Sequence, residues 1–131
     1  MDTIPSTVLI ERLRRAADHR GYVFEPLDAE GLAAHKNVHV VLTAPGEIRG
    51  NHFHETGTEV TAVSGPARVR IKNANTLETH DIPEGETWRF TFPPRVTHAF
   101  QNTGSTALVI VSFNTLPHDP GNPNTTREVV L

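Results

Sequence analysis

The chain has 131 residues, with 12 lysines and arginines against 15 aspartates and glutamates, a formal net charge of -3, eight histidines and no cysteine. That length suits a single domain over residues 1–131, and the lack of cysteine excludes disulfides, thiolate zinc sites and cysteine nucleophiles. Scattered basic residues and no apolar run near the ~20 residues of a membrane span argue against nucleic-acid and membrane binding, and an N-terminus without a secretory pattern points to the cytoplasm.

The first segment admits two readings. Ser6 to Ala17 fits a helix capped by Ser6, with Val8, Leu9, Leu13 and Ala16 on one face. It fits equally a strand over Val8–Leu13 followed by a turn through Asp18-His19-Arg20-Gly21. Asp28 to Ala34 has the length of a single helical turn. Asn37 to Thr43 alternates, with Val38, Val40 and Leu42 on the face expected to be buried and His39 and Thr43 opposite.

Gly50-Asn51-His52-Phe53-His54 comes next, followed by Glu55 and Glu59. On an extended strand, residues two apart share a side at about 6.5–7 Å. His52 and His54 can therefore converge on one ion while Phe53 packs on the other face. Ala67 to Lys72 alternates Ala67, Val69 and Ile71 against Arg68, Arg70 and Lys72. Glu86 to Phe92 sets Trp88, Phe90 and Phe92 opposite Thr87, Arg89 and Thr91. His98 follows the Pro93-Pro94 turn at the head of a further strand, which a barrel can bring beside the first histidine pair.

Ala107 to Phe113 is apolar on both faces and is expected to be a strand covered on both sides. Pro117 to Asn124 is irregular and is expected to wrap the surface before a last short strand at Glu128–Val130. Turn signals at Pro45-Gly46, Gly65-Pro66, Pro83-Glu84-Gly85 and Asn102-Thr103-Gly104 separate these runs. Short, evenly spaced strands of this kind predict an all-β sandwich or barrel. Three imidazoles and at least one carboxylate make a mixed donor set suited to zinc, iron, nickel or manganese. His19, His35, His80 and His118 have no convergent partner and are expected at the surface.

The two histidine segments resemble the two motifs of the cupin superfamily. The first is Gly46, His52-Phe53-His54, Glu59 and Gly65; the second is Gly85, Pro93, Arg95, His98 and Asn102. The resemblance implies a double-stranded β-helix (jelly-roll) barrel with short N-terminal and C-terminal extensions. It also implies His52, His54, Glu59 and His98 as ligands of a divalent metal, zinc before iron, nickel or manganese. Two departures stand out. The stretch from Glu59 to Gly65 is one residue short, and such a slip turns Glu59 outward and leaves Glu55 as the reserve carboxylate. Arg95 replaces a glycine and adds bulk and charge near the expected mouth.

A narrower resemblance covers nearly the whole chain. Asp18-His19-Arg20-Gly21-Tyr22-Val23-Phe24-Glu25, then Arg49 to His54, Phe92-Pro93-Pro94, and Asn114 to Thr125 recur in the same order. They are similar to the C-terminal cupin domain of bifunctional capsular-polysaccharide enzymes. That domain epimerises a UDP-linked 4-keto sugar, and an attached dinucleotide-binding domain reduces it. No glycine-rich dinucleotide fingerprint follows a strand in this chain, so the reductase half is expected to be absent.

The resemblance implies an epimerase or isomerase of a nucleotide-linked 4-keto sugar in polysaccharide or deoxysugar biosynthesis. Proton removal beside a ketone needs a base near neutral pKa and a group that steadies the enolate. His39 or His52 is the candidate base and Tyr22 the candidate acid. Arg49, Asn51, Trp88 and Arg95 are the expected substrate contacts, since guanidinium pairs well with phosphate. Two alternatives share the donor set: an iron oxygenase of the cupin type, and a non-catalytic module that binds a sugar or another small molecule. Cupins commonly pair, so the resemblance implies a homodimer; Ala107 to Phe113, apolar on both faces, fits either a sheet-to-sheet contact or a buried central strand.

Overall fold

The computed structural model describes residues 7–131, so the cap expected of Ser6 lies outside the described residues. The strands are β1 Leu9–Leu13, β2 Ala16–Asp18, β3 Gly21–Val23, β4 Asn37–Thr43, β5 Ile48–His54, β6 Glu59–Ser64, β7 Ala67–Asn73, β8 Thr76–Ile82, β9 Thr87–Phe92, β10 Thr97–Asn102, β11 Leu108–Asn114 and β12 Thr125–Arg127. The helix α1 covers Ala29–Ala34, and the Asp28 carboxylate caps it by accepting from the Gly31 amide at 2.8 Å.

One antiparallel sheet runs β1-β9-β6-β11-β4 and a second runs β12-β5-β10-β7-β8; β2 and β3 form a separate hairpin. Their inner faces share one apolar core. Val63, Phe90 and Ile110 come from the first sheet, and Val69, Ile71 and Phe100 from the second. This is the cupin-type jelly roll. The period-two patterns at Ala67–Lys72 and Glu86–Phe92 hold, with Ala67, Val69, Ile71, Phe90 and Phe92 buried.

Of the two readings of the N-terminal segment the strand holds, because Leu9–Leu13 completes an edge of the first sheet by pairing with Thr87–Thr91 of β9. Several other expectations are corrected. β4 alternates, but inside out: Val38, Val40 and Leu42 are 54%, 66% and 62% exposed, while Thr43 is buried and Val41 packs on the core. β11 is covered on its inner face and at the Phe113 end of its outer face, with Val109 exposed outside. β8, a polar edge strand, had no apolar alternation to reveal it.

The last strand is Thr125–Arg127, which pairs with His52–His54 of β5; beyond it the Glu128 amide donates to the Asn51 carbonyl at 2.8 Å, and side chains hold Glu128 and Val130. His35 and His80 are half-buried rather than superficial: His35 lies against Phe113 and His80 against Phe90. Among the described residues, no helix is long and apolar enough to cross a membrane.

Candidate metal centre

His98 stands on β10, the central strand of its sheet, and pairs in register with His52 on neighbouring β5. Strand parity puts His54 on the same side as His52. Glu59 comes from the opposite sheet, at the head of its central strand β6. The three imidazole rings lie 5.0–5.7 Å apart between centroids. One donor atom from each of the four residues falls within 4.8 Å of every other. Donors bound tetrahedrally to one zinc ion at 2.0–2.2 Å stand about 3.3–3.6 Å apart, so the four groups converge on one point and would draw together by about an ångström around an ion. Glu59 is buried and points inward, whereas Glu55 is exposed and pairs with Arg95 at 3.6 Å and Thr126 at 3.0 Å.

The rings are fixed from behind. His98 donates from Nδ1 to the Val96 carbonyl at 3.0 Å, and Phe92 stacks on it at 4.1 Å. That bond selects the tautomer whose Nε2 carries a lone pair. Nε2 lies 2.9 Å from Glu59 Oε2 without hydrogen-bond alignment, and it has no other partner although the residue is 1% exposed. Where that nitrogen faces a buried carboxylate a positive charge is needed, a proton on the ring or a metal ion, and the donor set fits a divalent metal.

His54 donates from Nε2 to Glu59 Oε1 at 3.0 Å. Burial opposes its charged form, but the bond and charge of Glu59 raise its pKa. Burial likewise opposes ionisation of Glu59, and His98 and His54 overturn this and hold its carboxyl well below the usual range. Burial, then the charge of His98, lowers His52 to about 4. Its ring is therefore neutral at pH 7, the form that ligates a metal or accepts a proton.

The cluster forms the floor of a cavity of about 740 Å³. His52, His54 and Glu59 line one side; Asn37 and His39 of β4 line another; Asn114, His118, Asp119, Asn122 and Asn124 close the third. His118 is exposed as expected, at the rim of this cavity. The segment Pro117 to Asn124 runs over the surface as expected, and it also forms a wall of the site. Its recurrence in the narrower resemblance was the signal that it mattered.

Other expected site residues lie elsewhere. Tyr22 sits on the β2–β3 hairpin, stacked on Phe24 beneath the Arg15 guanidinium, and does not line the cavity. Trp88 packs against the core and donates to Glu86. Arg49 donates to the Leu42 carbonyl and lines a separate hollow with Leu42 and Ile48. Asn51 is turned away to the C-terminal segment, where its side-chain oxygen accepts from the Val130 and Leu131 amides. Arg95 is close through its backbone, donating to the His54 carbonyl at 2.8 Å, but its side chain is exposed. Among the described residues lining the cavity there is no lysine or arginine.

The family model described as polysaccharide biosynthesis C-terminal domain matches residues 16–126. The chain belongs to that family. This polysaccharide biosynthesis C-terminal domain is 25% identical over 130 residues to the spore coat polysaccharide biosynthesis protein SpsL of Bacillus subtilis (strain 168), covering 92% of this chain and 86% of SpsL. It is similar to the crystal structure of the capsular polysaccharide assembling protein CapF from Staphylococcus aureus, with a TM-score of 0.67 and 26% identity over 90% of this chain. The chain spans only 33% of CapF.

The dTDP sugar isomerase from Desulfovibrio desulfuricans G20 has the same fold, with a TM-score of 0.75 at 17% identity, covering 93% of this chain and 83% of that one. So does the sugar 3,4-ketoisomerase QdtA from Thermoanaerobacterium thermosaccharolyticum, whose structure holds TDP, at 0.68 and 16%, with 95% and 90% covered. The cupin fold expected from the two histidine motifs is therefore the fold of this family.

Proposed function

We propose that this protein is a metal-binding isomerase or epimerase acting on a nucleotide-linked 4-keto sugar in polysaccharide biosynthesis, with zinc held by His52, His54, Glu59 and His98. The observation that carries this reading is the convergence of donor atoms from His52, His54, Glu59 and His98 to within 4.8 Å of one another, three of these residues lining an open cavity. The family match and the isomerase folds support the substrate class. A divalent ion there supplies a Lewis acid that lowers the energy of negative charge on a substrate oxygen.

The residues of the chain do the rest. With His52 committed as a ligand, His39 is the proton-transfer group: it lines the cavity from β4, and imidazole suits that role near neutral pH. It takes the proton from the carbon beside the ketone and returns it from the same face to the neighbouring position, as an isomerase does; inversion at one carbon needs a second donor, such as water, on the opposite face. Asn37, Asn114, Asn122 and Asn124 offer amides that recognise sugar hydroxyls. Without a cation in the lining, the diphosphate belongs at the rim, where the exposed Arg95 is within reach of the His54 end of β5.

Incubation with UDP- and dTDP-4-keto sugars in heavy water tests this. Deuterium is expected to enter the ring at the carbon next to the ketone. His39→Asn should lower that exchange by about 10²–10⁴-fold with metal content unchanged. Absence of exchange with every such sugar overturns the reaction, and wild-type exchange in His39→Asn overturns the role of that residue.

A further inference from the structure

We propose that Thr61 and Ser112 are positioning residues for the metal site, acting through the Glu59 carboxylate; this rests on the metal reading above. Thr61 is two residues along β6 from Glu59 and so shares its inward face. Its hydroxyl donates to Glu59 Oε2 at 3.1 Å and stands 2.9 Å from the hydroxyl of Ser112. Ser112 is the in-register partner of Thr61 on β11. Both side chains are essentially without solvent, Thr61 at 0% and Ser112 at 3% exposure.

The direction of this chain follows from counting protons. A threonine hydroxyl has one hydrogen, and Glu59 accepts it. The oxygen of Thr61 can then only accept from Ser112. The sequence of donors is Ser112 to Thr61 to Glu59, and it ends on an acceptor-only carboxylate. Bonds aligned head to tail polarise one another, so the outer hydroxyl strengthens the inner bond.

The chain also accounts for all the contacts of Glu59. Oε1 takes the hydrogen of His54 Nε2, and Oε2 takes that of Thr61 while facing His98. A carboxylate tied at both oxygens cannot rotate, and it keeps its charge aimed at the imidazoles. One rung further along, the same inner column holds Val63 and Ile110, both in the apolar core. Two hydroxyls at this depth carry a desolvation cost unless bonded. They stand at the point where the core meets the metal ligands.

The experiment measures zinc affinity of the full chain by competition with a chromophoric chelator, together with the cobalt(II) d–d spectrum. Thr61→Val keeps the shape and removes the donor; it is expected to weaken zinc binding by about 10–100-fold and to shift the cobalt bands. Thr61→Ser keeps the donor and is expected to restore both. Ser112→Ala is expected to give a smaller loss in the same direction, and it decides alone if Thr61→Val does not fold.

Wild-type affinity and spectrum in Thr61→Val and Ser112→Ala overturn the proposal while leaving the metal reading intact. So does an equal loss in Thr61→Ser, which makes the effect one of packing. A wild-type chain that takes up neither zinc nor cobalt overturns the metal reading and this proposal with it.

Discussion

At the centre two of the three imidazoles keep a partner of their own: Val96 and Phe92 hold His98, and Glu59 holds His54. Deleting one ring therefore removes a donor without releasing the others. His54 is the best to delete, because it is partly exposed and not part of the apolar core. His54→Ala is expected to reduce zinc in the purified chain from about one ion to less than about a tenth, with the far-ultraviolet spectrum unchanged. Metal analysis after purification without an imidazole column reads this directly.

Chelation makes the same point thermodynamically. A ligand bound only by the native state stabilises it by about 2.7 kcal/mol at a hundredfold excess over Kd, on the order of 10 °C in Tm for a chain of this size. The zinc-loaded chain should lose that increment when stripped, and His54→Ala should show no response to zinc. Identical melting of loaded and stripped protein contradicts a structural contribution of the ion.

Among the elements, β5 does the most to place the ligands, and it does so through an irregularity. Its pairing with β10 slips between His98 and Ala99, where Gly50 has φ +89° and Asn51 φ 57°. A Cβ on Gly50 would stand 2.7 Å from the His98 carbonyl oxygen. Gly50→Ala thus meets both a left-handed backbone and the strand that carries His98. It is expected to cost about 1–3 kcal/mol of stability and to weaken zinc binding as His98 is displaced. Thermal melting and the chelator competition measure the two effects. An alanine variant with wild-type values in both means that the close approach of the strands is not needed.

The same strand marks how far the sequence could be read. The His52/His54 parity and the place of His98 after a proline turn were legible, because strand geometry alone relates them. Which carboxylate joins them was not, since the four residues between His54 and Glu59 allow either parity; pairing of Glu59 with Phe92 and Asn114 decides it. Asn51 looked like a substrate contact because it sits among the histidines. Its left-handed backbone turns it to the C-terminal segment, a contact 79 residues away that no local pattern encodes.

At the scale of the molecule, the inverted β4 is the feature that one chain does not explain. Its outer residues Val38, Val40 and Leu42 pair across the ladder with Phe113, Val111 and Val109 of β11, and Val109 is itself 49% exposed. β4 is also the last strand of its sheet, so an apolar face continues to an open edge. Seven-residue edges of this kind invite pairing unless charge or proline blunts them, and β4 carries neither. We propose that two copies meet here, each covering the apolar face of the other.

His39 lies on the inner side of this strand, so the contact would hold the cavity wall in place from behind. Light scattering of the full chain should give twice the mass of one chain. Val40→Glu, with a charge at the middle of the patch, should give the mass of one chain while zinc content stays near one ion. A monomeric wild type at micromolar concentration removes the proposal, as does a dimer that Val40→Glu leaves intact. If the variant is monomeric and also loses deuterium exchange while keeping zinc, the pairing of copies supports the His39 wall and is part of the catalytic apparatus.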